Sequence, residues 1–188
     1  MSQSNSNSNS KSKSNSNSKS TLESESEQVR LQRLLFERLY NACITGELRE
    51  VKHLVRVGAD VNTGSPYNDG ATPLIVACIR GQLAVVRFLV ISNADIYKAD
   101  NDGATPLIAA SGNGHLEVVR FLFISNADID KADNNGATPL IMASYYGQLE
   151  IVRLLVISNA DINKADNDGM TPLIAASGNG HLEIVRFL

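Results

Sequence analysis

The stretch DGATPLIAASGNGHLEVVRFLFISNADIDKADN, residues 102–134, decides the fold, because the chain spells it again with small changes at 69–101 and 135–167. Inside it, TPLIAASGNGHLE at Thr105 to Glu117 returns letter for letter at Thr171 to Glu183. Between these copies TPLIMASYYGQLE begins at Thr138, and TPLIVACIRGQLA begins earlier at Thr72, so the step is 33 residues. A unit this short cannot bury its own apolar face. Self-similarity at a period of about 20 to 50 residues therefore implies a stacked array, in which each unit is covered by its neighbours.

Local chemistry divides the unit into two helices and a loop. Thr105 suits a helix N-cap and Pro106 the first helical position, where its missing N–H is no loss. A short first helix is predicted from Leu107 to about Asn113, closed by Gly114. A second starts near Leu116 and runs to about Ser125, where Asn126 can take the left-handed conformation that ends a helix. Asn93 and Asn159 stand at the same place, and Gly58 takes it in the first unit. The following ADIDKADNNG is turn chemistry, rich in Asp, Asn and Gly, and predicts a hairpin-like loop. Along the second helix Leu116, Val119, Leu122 and Phe123 form an apolar stripe that Val118 and Phe121 widen. Glu117, Arg120 and Ile124 are left on one outward face.

The 188 residues are 43% apolar, enough for a core. Beyond Met1 none of that content lies in the opening MSQSNSNSNSKSKSNSNSKS, where Ser fills every even position. With nothing to bury against about 1 to 2 kcal/mol of backbone entropy per residue, residues 1–28 are predicted to be a disordered low-complexity tail. A solvated leader and a Ser-rich kinase substrate are both compatible with that composition. No apolar h-region follows the N terminus, and no apolar run approaches the roughly 18 residues of a bilayer span. An intracellular protein, cytoplasmic or nuclear, is the expectation. A formal charge of −3 gives no general attraction to nucleic acid. Cys43 and Cys78 occupy the same place in successive units, on helices expected to lie about 8 to 10 Å apart. A disulfide needs Cα atoms within about 7 Å, so two free, buried thiols are expected.

These units resemble ankyrin repeats in the Gly-x-Thr-Pro-Leu opening, the Gly-His-Leu-Glu-Val-Val link into the second helix and the Ala-Asp-Ile turn. The resemblance runs from about Leu31 to Leu188. It implies an all-α ankyrin-repeat solenoid of stacked helix-turn-helix units with β-hairpin-like loops, over a repeat domain at 29–188 that follows the tail. Within it lie a divergent unit at 31–68, repeats at 69–101, 102–134 and 135–167, and a truncated repeat at 168–188. The first unit lacks Thr-Pro, has two residues inserted around SPYND and carries Arg33, Glu37, Arg38, Arg49, Lys52 and Arg56, as an N-terminal capping repeat would. The last stops inside its second helix without a complete cap, which we read as the mark of a fragment. Where the family usually has His after Thr-Pro-Leu, this chain has Ile75, Ile108, Ile141 and Ile174, making that contact apolar. Ile91, Ile124 and Ile157 replace a usually polar outward residue, written Arg56 in the first unit. Either neighbouring helices cover them, or they form an apolar ridge for a second partner or for self-association.

No residues group for catalysis. His53, His115 and His181 have no second ligand at i+4, and the chain has no phosphate loop, nucleophile elbow or calcium loop. No enzyme activity, cofactor, metal or small-molecule substrate is expected. The resemblance implies a protein-binding scaffold that uses a concave groove of first helices and hairpin tips. The units differ most just before the Gly that ends each first helix: Ile79-Arg80, Gly112-Asn113, Tyr145-Tyr146 and Gly178-Asn179. In the family these positions face the groove. Tyr145 and Tyr146 are candidate anchors, and drift after duplication, with the rings flat on neighbouring repeats, is the alternative. At the tips, Asn101, Asp102, Asn134, Asn135, Asn167 and Asp168 are either turn formers or a polar, acidic rim suited to a basic or hydrogen-bonding segment. Arg87, Arg120, Arg153 and Arg186 form a ladder one turn beyond Glu117, Glu150 and Glu183, as surface pairs would. A monomer with an unidentified protein partner is expected, with neither nucleic acid nor membrane. The rival is a targeting or substrate-recruiting module of a larger enzyme or channel, with the remaining domains beyond residue 188.

Overall fold

The computed structural model describes residues 12–188, with side chains from Glu27 onward. The tail expected at 1–28 therefore lies outside the described residues up to position 11, and outside the described side chains up to position 26. Five helix pairs follow one another. They are α1 (Ser12–Thr45) with α2 (Leu48–Arg56), α3 (Pro73–Ile79) with α4 (Leu83–Ile91), and α5 (Pro106–Gly112) with α6 (Leu116–Ile124). Next come α7 (Pro139–Tyr145) with α8 (Leu149–Ile157), and α9 (Pro172–Gly178) with α10 (Leu182–Phe187). Among the described residues every element is a helix.

The caps form as the sequence dictates. Thr72, Thr105 and Thr138 each accept a bond at 3.2 Å from the amide of the Ile three residues on, and Thr171 does so at 3.3 Å. Pro holds the first helical position in all four of these helices. Asn93, Asn126 and Asn159 end the second helices with φ of 64°, 66° and 66°. The connecting loops are tight turns rather than strand pairs. The Asp100 carboxylate accepts from the amides of Asp102 (3.1 Å) and Ala104 (2.8 Å), and Asp133 and Asp166 repeat that turn. In the first unit the turn widens: Ser65 bonds Ala71 where Asp100 bonds Ala104, which accommodates the two extra residues.

Side-chain size sets the shape of the stack. First helices are built of small residues such as Ala109, Ala110, Ser111 and Ala143, all buried, and adjacent first helices meet closely. Second helices carry Phe and Leu and contact their neighbours less, so the array bends with the first helices inside. This spacing corrects the predicted stripe of α6. Val118, Val119 and Leu122 are buried and Leu116 and Phe121 half-buried, but Phe123 is 38% exposed, because the next second helix stands too far off to cover it.

Polar ties run between units on both sides of this core. The linking residue before each second helix reaches back to a carbonyl in the preceding unit: Gln82 to Ile44 (3.3 Å), His115 to Ile79 (2.9 Å), Gln148 to Gly112 (3.4 Å) and His181 to Tyr145 (2.9 Å). On the outer side the cation of one unit stacks on a ring of the next: Lys52 on Phe88, Arg87 on Phe121 and Arg153 on Phe187, at 5.7, 5.3 and 5.8 Å from the ring centre. The ladder arginines thus contribute packing as well as exposed pairs, Arg120 to Glu117 (3.6 Å), Arg153 to Glu150 (3.1 Å) and Arg186 to Glu183 (3.0 Å).

Cys43 and Cys78 are free and buried, as expected. Burial pushes the Cys43 thiol up from 9.0 to about 12, and Cys78 moves further in the same direction for the same reason. The sign of the linkage follows. Below the ordinary thiol value both folded and unfolded chains keep these protons; above it the unfolded chain releases protons that the folded chain retains, and stability falls. Denaturant titrations should therefore show stability dropping as pH rises through 9.0, with a shallower drop in Cys43→Ala/Cys78→Ala. An identical slope in the double variant would refute the assignment.

Candidate partner-binding groove

The C-terminal ends of the first helices and the loop tips line one side of the array, and the variable pairs lie there. Ile79 is half-buried and Arg80 exposed; Gly112 is buried and Asn113 exposed. Asn113 turns its amide onto its own helix, bonding Ala109 at 2.8 Å, and Asn179 does the same to Ala175 at 2.9 Å. Tyr145 and Tyr146 differ from these. They are 41% and 54% exposed and meet edge-on, with ring centres 5.0 Å apart at 76°. Tyr146 leans toward Gly112 of the preceding unit, where a Cβ would lie 3.4 Å from its ring. That separation is ordinary van der Waals contact, so the Tyr146 ring packs beside the preceding unit at Gly112.

The tips are chained to one another. The amide of Asn101 donates to Asp69 (2.6 Å), that of Asn134 to Asp102 (2.9 Å) and that of Asn167 to Asn135 (2.9 Å). Side-chain amides add a second rung, Asn134 to Asn101 (2.9 Å) and Asn167 to Asn134 (3.0 Å). Asn134 and Asn167 therefore spend their donors on the ladder, while the side chains of Asp102, Asn135 and Asp168 are exposed beside it.

A feature that the sequence did not reveal sits where the loop is longest. Tyr40 and Ile44 of α1, Val76, Ile79 and Arg80 around α3, Asn68, Asp69 and Ala71 of the long turn and Asp100 line a solvent-open cavity of about 370 Å³. Tyr40 is 7% exposed, and burial raises its phenol above the ordinary value, partly offset by Asn68, Ser65 and Arg80 nearby. Asp100 is also raised, first by burial, with the neighbouring carboxylates of Asp102 and Asp69 adding to the shift against two backbone bonds. The inserted residues around SPYND were the available signal, but only packing shows that they open a space.

On the outer side, neighbouring helices do not cover the isoleucine row. Ile91, Ile124 and Ile157 are 79%, 77% and 77% exposed. Among the described residues no group of three or more His, Cys, Asp or Glu is placed to hold a metal, and no helix is long and apolar enough to cross a membrane.

The sequence pattern described as ankyrin repeats (3 copies) matches residues 39–133 and again 124–188. The chain belongs to the ankyrin repeat family. Ankyrin repeats are general protein-interaction modules, so the stack has the architecture of a binding surface. Similar curated proteins include ankyrin repeat domain-containing protein 40 of Mus musculus and of Homo sapiens. Each is 46% identical over 59 residues, covering 31% of this chain and 16% of the relative. This ankyrin array thus matches only a small part of those longer proteins.

Proposed function

We propose that the chain is an intracellular, non-catalytic scaffold, a monomer that holds a segment of a partner protein along the groove of first helices and loop tips. The observation that carries this reading is the Tyr145-Tyr146 pair. Two large amphipathic rings stand half in solvent at positions where the adjacent units place Gly112-Asn113 and Gly178-Asn179. Rings needed only for the core would be covered; rings left open here offer rigid contact area with little entropy to lose.

The test is a partner identified by proximity labelling, measured against Tyr145→Ala/Tyr146→Ala. Affinity is expected to fall at least about tenfold, with little change in melting temperature. Unchanged affinity would sink the reading. A second reading, a recruiting module for a larger protein, is supported by the short share of the curated relatives that this chain matches. The exposed row of Ile91, Ile124 and Ile157 supports an additional apolar contact on the outer side.

A further inference from the structure

The segments that follow the second helices are tied from unit to unit as well, and one joint lacks its tie. Between the first and second units the Asn62 side chain accepts from the Asp95 amide (2.8 Å) and donates to the Asn93 carbonyl (3.0 Å), while the Lys98 ammonium donates to the Asn62 carbonyl (2.7 Å). Between the third and fourth units the Asp130 carboxylate accepts from the Asp161 amide (3.0 Å), and Lys164 donates to the Asp130 carbonyl (2.7 Å). Between the second and third units the corresponding residue is Tyr97. Its hydroxyl donates to the Asn126 carbonyl (3.1 Å), which replaces the bond from Asn62 to Asn93 and nothing else. Among the described residues neither the Asp128 amide nor the Lys131 ammonium has a hydrogen-bond partner.

A second cavity, of about 220 Å³, opens at this joint. Ile96, Leu107 and Ala127 give it an apolar lining, Tyr97 forms one wall, and Asp128 and Lys131 border it. Pockets that hold a whole ligand run to roughly 300 to 1,000 Å³, so this one has room for a single side chain. Its donors fix the charge of the guest, since an unpaired N–H and an ammonium both call for an acceptor. The carboxylate of Asp128 itself is turned onto the Asp130 amide (3.0 Å). At the next joint Asp161 is turned in the same way onto the Asn163 amide (2.9 Å), and the Asp130 carboxylate still sits on the Asp161 amide. The molecule thus already accommodates a carboxylate at this place beside such an aspartate. The apolar lining adds a demand for a short aliphatic stem behind the charge, and glutamate combines the two.

We infer that this cavity seats a glutamate side chain of a partner protein, its carboxylate accepting from the Asp128 amide and the Lys131 ammonium. The cavity borders the start of α5, whereas Tyr145-Tyr146 stand at the C-terminal end of α7. It is a second contact, which goes beyond the groove reading and stands without it.

The probe is N-acetylglutamate N-methylamide, a blocked glutamate, titrated into the isotope-labelled intact chain and followed by amide NMR. Blocked glutamine is the neutral control, and butanoate stands for a free small acid. Blocked glutamate should shift the Asp128 amide resonance, and blocked glutamine should bind at least about tenfold more weakly. Lys131→Gln should weaken the glutamate about tenfold. Tyr97→Asn is the sharper test. Asparagine rebuilds the tie that Asn62 makes, so the Asp128 amide gains an internal partner and binding is lost, while the melting temperature holds or rises. Tyr145→Ala/Tyr146→Ala should leave the titration unchanged. An Asp128 resonance indifferent to blocked glutamate, equal affinity for blocked glutamine, or full binding in Lys131→Gln or Tyr97→Asn would overturn the assignment, whatever the fate of the groove. Binding of butanoate without blocked glutamate would overturn the partner side chain in favour of a small free acid.

Discussion

Leu140→Ala is expected to cost about 2 to 5 kcal/mol of folding free energy and to split a single unfolding transition into two. Leu140 is 0% exposed, in the first turn of α7, a helix that packs against its own second helix and the first helices on either side. Truncation leaves a cavity at a joint of the stack, and in a one-dimensional array the units on either side of a weakened joint lose their coupling. Leu173 supplies the control. It occupies the same place in another Thr-Pro-Leu-Ile, yet it is 43% exposed, so Leu173→Ala should cost far less. Denaturant melts of both variants decide it: equal losses would mean that the contacts between units are not where most of the stability resides.

Gly136→Ala is the second large effect, expected at about 2 to 4 kcal/mol from left-handed strain plus a broken loop contact. Gly136 sits at φ 84°, and a Cβ there would lie 2.8 Å from the amide nitrogen of Asn167 and 3.0 Å from the Asp166 Cα. These are backbone atoms and cannot swing aside, so the next loop must move and the 2.9 Å bond from Asn167 to Asn135 is lost. Gly169→Ala shares the backbone strain, at φ 81°, but has nothing within 4 Å. It should cost only the strain, about 1 to 2 kcal/mol. A thermal melt showing the two variants equally damaged would remove the loop-to-loop contact from the account.

Turn and cap chemistry made much of this fold legible in advance. Thr-Pro, the helix-ending asparagines and the period of 33 residues act over a few neighbours, so the letters alone carry them. The burial of Cys43 and Cys78 followed from the same register. Distances between units were harder to read. Whether Ile124 and Phe123 are covered depends on how far the next second helix stands, and that is set by the small residues of the first helices on the opposite side. The cavity is a stronger case, since its walls come from α1, α3 and two separate turns. The ankyrin resemblance directed attention to Tyr145 and Tyr146; it offered nothing about Tyr40 or Asp69, which lie where this chain departs from the repeat.

The back-reaching links from Gln82, His115, Gln148 and His181 also bear on how such an array can change length. Three of them span 36 residues of chain and the first spans 38, yet all reach the same kind of carbonyl at the end of a first helix. The two extra residues between Ser65 and Ala71 are absorbed in the turn, and the link does not register them. The array therefore keeps its pitch by the reach of one side chain across a fixed gap, and not by counting along the backbone. Tips can grow or shrink between duplicated copies while the helices stay in step. New surface can thus be added at the tips without rebuilding the stack beneath.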